Sequence, residues 1–236
     1  MDPIIISFYM NNTPREVIDA QSEVVTKMAP GVTFLQVNTR QSHGQSIDIA
    51  LDLLLPKMDK DLLVLLDIDA IPLRESAIPT LINMTRNGTR LAGAPQASNH
   101  LPEPYCHDIF VAPCVMALSR LAWISAGKPS AVPTSRSDVA QEITRRLQQV
   151  ADPGDVPVTM DIISYDGKPH PVRLPDGRVD SPPFWKLGNR GRYGLNTIYG
   201  IQSRPLFFHS FQSFAPGQNQ RFIETCQKVL DGSFSL

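Results

Sequence analysis

The sequence predicts an α/β protein with a mixed, mainly parallel sheet flanked by helices. Apolar segments of strand length alternate with segments of helical periodicity over about the first ninety residues, which favours right-handed crossovers between parallel strands. Within this part, 62–66 is an unbroken apolar run, Leu-Leu-Val-Leu-Leu. Such a run is typical of a strand that is buried on both faces, as in a parallel sheet.

The first 98 residues are predicted to hold four strands and three intervening helices. The strands are expected at 4–9, 32–37, 62–66 and 91–94, and the helices at about 14–28, 47–55 and 78–86. Thr13-Pro14-Arg15-Glu16 has the pattern of a capping box with proline at the first helical position. Pro56 is expected to end the second helix, because proline lacks the N–H that continues a helix.

After residue 98 the alternation is less regular. Strands are predicted at 109–118, 158–164 and 206–211, and helices at 119–126, 138–150 and 218–230. Ser137 is the expected N-cap of helix 138–150, and Pro-Asp-Gly within 172–179 indicates a hairpin. The segment 180–196 is rich in Pro, Gly and Arg and is expected to be a mobile loop. We expect one domain over 1–236, with an N-terminal half, 1–98, and a less regular C-terminal half, 99–236.

The composition, 42% hydrophobic and 19% charged, is that of a globular protein. The net charge of −1 argues against nucleic acid as the main partner, because a phosphate backbone is bound by a basic surface. Three cysteines without a C-x-x-C pair suit a reducing compartment, so a cytoplasmic location is expected. No secretory leader pattern and no apolar run of membrane-spanning length is present, so no transmembrane segment is expected.

Two acids, Asp67 and Asp69, follow the buried run, and Pro72 prevents that strand from continuing centrally. Ligands of open α/β sheets bind beyond the carboxyl ends of the strands. Neighbouring carboxylates suit a hard divalent cation such as Mg²⁺ or Mn²⁺, which also binds substrate phosphates. The alternative is that both acids only accept hydrogen bonds from loop amides. Their position after a buried strand favours metal or nucleotide binding.

The order of these segments resembles the nucleotide-binding half of the GT-A glycosyltransferases. The resemblance rests on 4–9, 32–38, 44–55 and 62–73, with Asp67-Ile68-Asp69 at the position of that family's DxD motif. It extends with less detail to 91–94 and 109–127. It implies a GT-A (Rossmann-like) fold, with 1–98 as the nucleotide-binding half and 99–236 as the acceptor-side half. It also implies a nucleoside-diphosphate sugar as donor and Mn²⁺ or Mg²⁺ as cofactor.

Carried onto this sequence, the resemblance makes Asp69 the direct metal ligand, while Asp67 contacts the ribose or a metal-bound water. It implies donor contacts from the ends of the first two strands, the helix that follows them and the fourth strand: Ser7, Phe8, Tyr9, Asn38, Ser46 and Gln96. The N-terminus of the helix that Ser46 opens is expected to face the nucleotide. The alternative role of Ser46 is an N-cap, and that of Tyr9 is an ordinary half-buried aromatic.

His209 lies among aromatic residues in the strand-like segment 206–211. Because GT-A enzymes often supply a C-terminal histidine, the resemblance makes His209 a further metal ligand, and an imidazole favours Mn²⁺ over Mg²⁺. The alternative is a histidine that is hydrogen bonded at the edge of the core. The other histidines are weaker candidates, since each is expected in a loop: His43, His100, His107 and His170.

Asp138 is the expected catalytic base of an inverting transfer, which needs a carboxylate to accept the proton of the acceptor hydroxyl. Inverting GT-A enzymes resemble this arrangement, with an acid at a helix start beside the acceptor cleft. The alternative is that Asp138 is only a favourable charge in the first helical turn. Asp161 and Asp108 are held in reserve, and a retaining enzyme would not need this base.

Three basic residues, Lys186, Arg190 and Arg192, lie in the glycine-rich part of the expected mobile loop. Guanidinium groups bind phosphate oxygens in pairs, so this loop is expected to close over the donor diphosphate or an acidic acceptor. The alternative is a solvated surface loop.

The predicted reaction moves a hexosyl or related sugar from a nucleoside-diphosphate donor, expected to be a UDP-sugar, to a hydroxyl of a glycan or glycolipid. A glycolipid acceptor would bring peripheral contact with a membrane. One rival is a phosphohydrolase of the haloacid-dehalogenase type, whose first motif is also a strand followed by Asp-x-Asp. Two features argue against this rival. Its motif normally lies on the first strand of the domain, whereas two strand–helix units precede Asp67 here, and Ala70 and Ile71 lack the hydroxyl that this family has after the second acid. The second rival is a non-catalytic module that binds nucleotide or metal.

Overall fold

The apolar run Leu62–Leu66 forms a fully buried strand in the interior of a six-stranded sheet. The structure, a computed structural model, describes residues 1–97, 101, 108–165, 172–173, 179–180, 196–210 and 217–236.

The described residues form strands and helices in this chain order. The strands are β1 Pro3–Tyr9, β2 Thr33–Asn38, β3 Leu62–Leu66, β4 Ala70–Pro72, β5 Ala92–Ala97, β6 Ile109–Ser119, β7 Val158–Thr159, β8 Asp161–Tyr165, β9 Val172–Arg173, β10 Val179–Asp180, β11 Asn196–Ile201 and β12 Arg204–Ser210. The helices are α1 Arg15–Met28, α2 His43–Ile49, α3 Leu55–Lys57, α4 Ala77–Met84, α5 Arg120–Ser125, α6 Gln141–Val150 and α7 Gln218–Asp231. A π-helical turn, Ala50–Leu54, joins α2 to α3.

The main sheet has the strand order β2-β1-β3-β6-β5-β7. β1 pairs in parallel with β2 and β3, and β5 pairs in parallel with β7. β6 is antiparallel to both of its neighbours, β3 and β5. The predicted fold class, a mixed and mainly parallel sheet flanked by helices, is therefore confirmed.

A smaller sheet, β4-β12-β11-β8, continues from the end of β3. Its strands pair antiparallel throughout. The first of them, β4, follows β3 after only a short turn, Asp67–Asp69, and Pro72 is its last residue. The acid pair thus lies in the connection between the two sheets. The hairpin predicted at 172–179 is also present, since β9 pairs antiparallel with β10.

Both faces of β3 are covered, as its sequence predicts. Val64 and Leu66 belong to an apolar cluster that includes residues of α1 and α4 and of the smaller sheet. Leu63 and Leu65 point to the opposite cluster, which includes residues of α2, α5 and α6. Each face therefore buries alternate side chains of one strand, which gives the acids that follow a rigid support.

The second helical region begins earlier and ends later than predicted. Its N-cap is Ser42, which forms a capping box with Gln45, so the alternative role of Ser46 as N-cap is wrong. Pro56 does not end the helical region, since it lies within α3. The π-helical turn that precedes it has i→i+5 hydrogen bonds in place of the α-helical pattern. The carbonyl of Leu51, five residues before Pro56, accepts a hydrogen bond from Arg120 Nε at 3.2 Å instead.

Two predicted helix starts are also wrong. The first helix has Pro14 as its N-cap and lacks the predicted capping box, and Thr13 Oγ1 instead accepts from the Met10 N–H at 3.2 Å. The helix predicted from Asp138 begins at Gln141, and Ala140, not Ser137, is its N-cap. Ala140 has a positive φ of 63°, a left-handed conformation that breaks the helix at this point.

Candidate metal centre and its cleft

The turn from Asp67 to Ala70, the acid turn, is held by one backbone hydrogen bond within it and by one each to β6 and β12. The Asp67 N–H donates to the Cys114 carbonyl on β6 at 3.0 Å, and the Ala70 N–H donates to the Asp67 carbonyl at 2.9 Å. The Ser210 N–H on β12 donates to the Asp69 carbonyl at 2.8 Å. Both acids therefore project from a backbone whose carbonyl and amide groups are engaged on either side.

His209 reaches the acids because β12 pairs antiparallel with β4, and this pairing sets His209 opposite Ala70. Its Nε2 lies 3.3 Å from Asp69 Oδ1 and 3.8 Å from Asp67 Oδ2. His209 and Asp69 are buried, with 2% and 6% of their surface exposed, while Asp67 is half-buried. The structure thus brings together the three residues predicted as metal ligands.

The spacing of these three side chains fits a divalent cation. Their candidate ligand atoms all lie within 4.8 Å of one another. Ligands about 2.1 Å from an octahedral ion lie about 3.0 Å apart at right angles and about 4.2 Å apart when opposite. Two carboxylates and one imidazole also form a mixed oxygen and nitrogen set, which suits Mn²⁺ better than an all-oxygen site does.

His43 is the site residue that sequence reasoning ranked too low. It is the first residue of α2, not a loop residue, and its Nε2 lies 3.1 Å from Asp67 Oδ1. The signal was available, because Ser42 and Gln45 have capping-box spacing and begin a helix just after the carboxyl end of β2. That end of a parallel sheet is where ligands bind.

His43 and Asp67 stabilise each other's charged forms, and Asp69 stabilises that of His209. Burial opposes the charge of His43, but the Asp67 carboxylate outweighs this and raises the pKa of His43. Burial likewise opposes the charge of His209, but Cys114 and Asp69 raise its pKa well above the ordinary value. Burial would raise the pKa of Asp67, yet the neighbouring imidazoles of His43 and His209 lower it. These shifts favour protonated imidazoles beside an ionised Asp67 carboxylate.

A cleft of about 330 Å³ opens beside the acids. It is lined by the ends of β1 and β2, the first turn of α2 and the acid turn: Phe8, Tyr9, Met10, Thr13, Thr39, Gln41, Ser42, His43, Asp67, Ile68, Asp69 and His209. Its walls thus combine aromatic and apolar side chains with two acids and two imidazoles. Such a mixture of apolar surface and a few polar groups is typical of small-molecule sites.

Four of the predicted donor contacts do not line this cleft: Ser7, Asn38, Ser46 and Gln96. Ser7 is fully buried on β1, Asn38 is exposed and donates from Nδ2 to Asn11 Oδ1 at 2.8 Å, and Ser46 is buried in α2. The Ser46 hydroxyl lies 3.1 Å from Thr39 Oγ1 and donates to the Ser42 carbonyl at 3.0 Å. Their contacts to a donor stay predictions.

Two of the predicted residues are joined to each other. Gln96 Nε2 on β5 donates to Asp138 Oδ2 at 3.1 Å, and the Val139 N–H donates to Asp138 Oδ1 at 2.7 Å. The Asp138 N–H itself donates to Gln141 Oε1 at 2.8 Å. Because α6 begins only at Gln141, Asp138 lies outside the first helical turn, and these specific hydrogen bonds orient its carboxylate.

The two reserve acids are engaged elsewhere. Asp108 is paired with Arg145, whose Nε and Nη2 lie 2.8 Å and 2.6 Å from Asp108 Oδ2. Asp161 is exposed and accepts from the Gln202 N–H at 3.1 Å. The predicted basic residues of the loop lie outside the described residues: Lys186, Arg190 and Arg192.

No protein-family model matches the chain, and no curated protein matches its sequence. Among solved structures it is similar to A197 from STIV, at 14% identity, with 78% of this chain and 95% of that one covered and a TM-score of 0.44. It is also similar to a glycosyltransferase involved in the glycosylation of the major capsid of PBCV-1, at 12% identity, with 68% and 82% covered and a TM-score of 0.44. Likeness this distant carries no argument about chemistry, which rests on the geometry of the site. In the part of the chain that the structure describes, no helix is both long and apolar enough to cross a bilayer.

Proposed function

We propose that the protein is a metal-dependent glycosyltransferase of the GT-A type. It transfers a hexosyl or related sugar from a nucleoside-diphosphate donor, with UDP as the expected nucleotide, to a hydroxyl of a glycan or glycolipid. The observation that carries this proposal is the cluster of Asp67, Asp69 and His209 at the carboxyl end of β3, opening onto a cleft with aromatic walls. We propose a single domain over 1–236 and a cytoplasmic location, as the sequence predicts.

The metal site is supported by its donor set. Asp69 and His209 would hold the ion directly, with Asp67 as a third ligand or as a contact to the ribose. A bound Mn²⁺ or Mg²⁺ would neutralise negative charge on the departing diphosphate. Phe8 and Tyr9, at the end of β1, offer apolar surface to the base and ribose. A cleft lined by both the cluster and these rings offers partners for the diphosphate, through a bound metal, and for the nucleoside.

Asp138 is the proposed base of an inverting transfer. Two hydrogen bonds, from Gln96 and from the Val139 amide, hold its carboxylate in one orientation. A carboxylate held in this way would accept the proton of the acceptor hydroxyl. Gln96 itself is the proposed contact to the donor sugar, so donor and acceptor would meet where these two side chains touch.

The test is hydrolysis and transfer with a panel of nucleotide sugars. With Mn²⁺, the protein should slowly release a nucleoside diphosphate from one of them, and EDTA should stop the release. Asp69→Asn should abolish turnover, whereas Asp19→Asn, which changes an exposed acid of α1, should leave it unchanged. Release of inorganic phosphate from simple phosphate esters would instead favour the phosphohydrolase. Mn²⁺ and nucleotide binding without any turnover would favour the non-catalytic module.

A further inference from the structure

Helix α1 carries one polar residue in the middle of its buried face. Val17, Ile18, Val24, Val25 and Met28 make that face apolar, and Gln21 lies between them with 0% of its surface exposed. A carboxamide in such a position needs hydrogen-bond partners, because burial without them is unfavourable. The partners of Gln21 therefore indicate why a polar residue is present there.

Both hydrogens of the Gln21 amide are directed at the acid turn. Gln21 Nε2 donates to the Asp67 carbonyl at 2.6 Å and to the Ala70 carbonyl at 2.9 Å. These two carbonyls belong to the first and last residues of the turn that carries the candidate metal ligands. One side chain thus bridges both ends of that turn.

A second glutamine fixes the orientation of the first. Gln36 Nε2 on β2 donates to Gln21 Oε1 at 3.1 Å and to the Ile18 carbonyl at 2.8 Å. Because Gln21 Oε1 accepts from Gln36, its Nε2 must face the turn, and the reversed amide would set two donors against each other. The orientation is therefore determined by the network of α1, β2 and the turn together.

We propose that Gln21 is a positioning residue for the metal centre, an inference that rests on the proposed metal-dependent function. The carbonyls of Asp67 and Ala70 fix the backbone of the turn, and the turn fixes the separation of the two carboxylates. Without the two hydrogen bonds from Gln21, the ligand residues are still present, but the distance between their carboxylates is no longer fixed. Outer-shell partners of this kind typically change metal affinity by about 10–100-fold.

The experiment compares Gln21→Met with Val25→Ala. Methionine keeps the length and volume of Gln21 but donates no hydrogen bond. Val25→Ala removes buried apolar atoms from the same helix but no hydrogen bond to the turn. Gln36→Met is a milder second variant, since it removes only the donor that orients Gln21. Mn²⁺ affinity is measured by the electron paramagnetic resonance signal of free Mn²⁺, below the melting range of each variant. Hydrogen exchange of the amides of 67–70 is measured without metal.

The expected result is Mn²⁺ binding about tenfold or more weaker in Gln21→Met, a smaller loss in Gln36→Met and wild-type affinity in Val25→Ala. Exchange at 67–70 should be faster in Gln21→Met than in Val25→Ala. Mn²⁺ affinity of Gln21→Met within twofold of the wild type would overturn the inference, as would equal weakening in Val25→Ala. If the wild type itself binds no Mn²⁺, the proposed function fails. Exchange then decides the inference alone, and unchanged protection at 67–70 in Gln21→Met overturns it.

Discussion

Replacement of Asp69 by asparagine is expected to remove most of the metal affinity while the fold persists. Asp69 is 6% exposed, and its Oδ1 lies 3.3 Å from His209 Nε2. Asparagine keeps the shape of the side chain and the backbone hydrogen bond from Ser210, but it carries no negative charge. A cation in the site would therefore lose its most buried anionic ligand.

The size of the effect follows from the role of the residue. Groups that only support a ligand change metal affinity about 10–100-fold, so loss of a direct anionic ligand should weaken binding at least about 100-fold, or about 2.8 kcal/mol. With Mn²⁺ about 100-fold above the wild-type Kd, the metal stabilises the wild type by about 2.7 kcal/mol and the variant by about 0.4 kcal/mol. For a chain of 236 residues, these values raise the Tm by about 5–11 °C and about 1–2 °C.

The assay is thermal unfolding, followed by fluorescence, of protein first stripped with EDTA and then titrated with Mn²⁺. Asp19→Asn serves as the control, because it also removes one carboxylate but changes only an exposed pair with Arg15. It should show the full wild-type rise in Tm. A full rise in Asp69→Asn would refute the reasoning, since the ion would then be bound without this ligand.

Three further outcomes are expected. The pKa values of His43 and His209 are raised above 6.5, so their contribution to stability is fully present below pH 6.5 and is lost as the pH rises through the folded values. Metal-free protein should therefore melt at a lower temperature at pH 8.5 than at pH 6.5. Mn²⁺ affinity should rise over the same range, because the ion competes with the His209 proton. A flat Tm across that range would contradict the paired histidines. Asp138→Asn should lower transfer to an acceptor by about 10²–10⁴-fold, as expected for a general base, and should keep the wild-type rise in Tm with Mn²⁺; unchanged transfer would remove Asp138 from the mechanism. Gly44→Ala would set a Cβ 2.5 Å from the Ala131 carbonyl oxygen, so chemical denaturation should show a loss of about 1–3 kcal/mol, and equal stability would mean that the first turn of α2 moves freely.

Local patterns of the sequence predicted the main strands well and the helix ends poorly. The strand at 62–66 was predicted because five consecutive apolar residues favour a strand that is buried on both faces. Proline lacks the N–H that continues a helix, so Pro56 was expected to end one. Here a π-helical turn precedes Pro56, and Arg120 supplies the hydrogen bond to the Leu51 carbonyl. Arg120 belongs to α5, so no sequence window around Pro56 contains it.

The residues missed by sequence reasoning share one property, which is that their partners are distant in the chain. Gln21 interrupts an apolar helical face, and that interruption was visible, but its partners, the carbonyls of Asp67 and Ala70, are not local. His43 was expected in a loop, although the capping box of Ser42 and Gln45 makes it the first residue of a helix. Polar residues at buried positions or at helix starts beside strand ends were therefore the signals to weigh more heavily.

The sequence by itself determined that a buried strand ends in two acids, because an unbroken apolar run and the carboxylates after it are consecutive residues. It also determined the parallel character of the first three strands, since each is joined to the next by a helical segment. Only the tertiary structure decided which imidazoles meet those acids. The register of β12 against β4 sets His209 beside Asp69, and the start of α2 sets His43 beside Asp67. Such register depends on side-chain packing between segments separated by more than a hundred residues, which local periodicity does not encode.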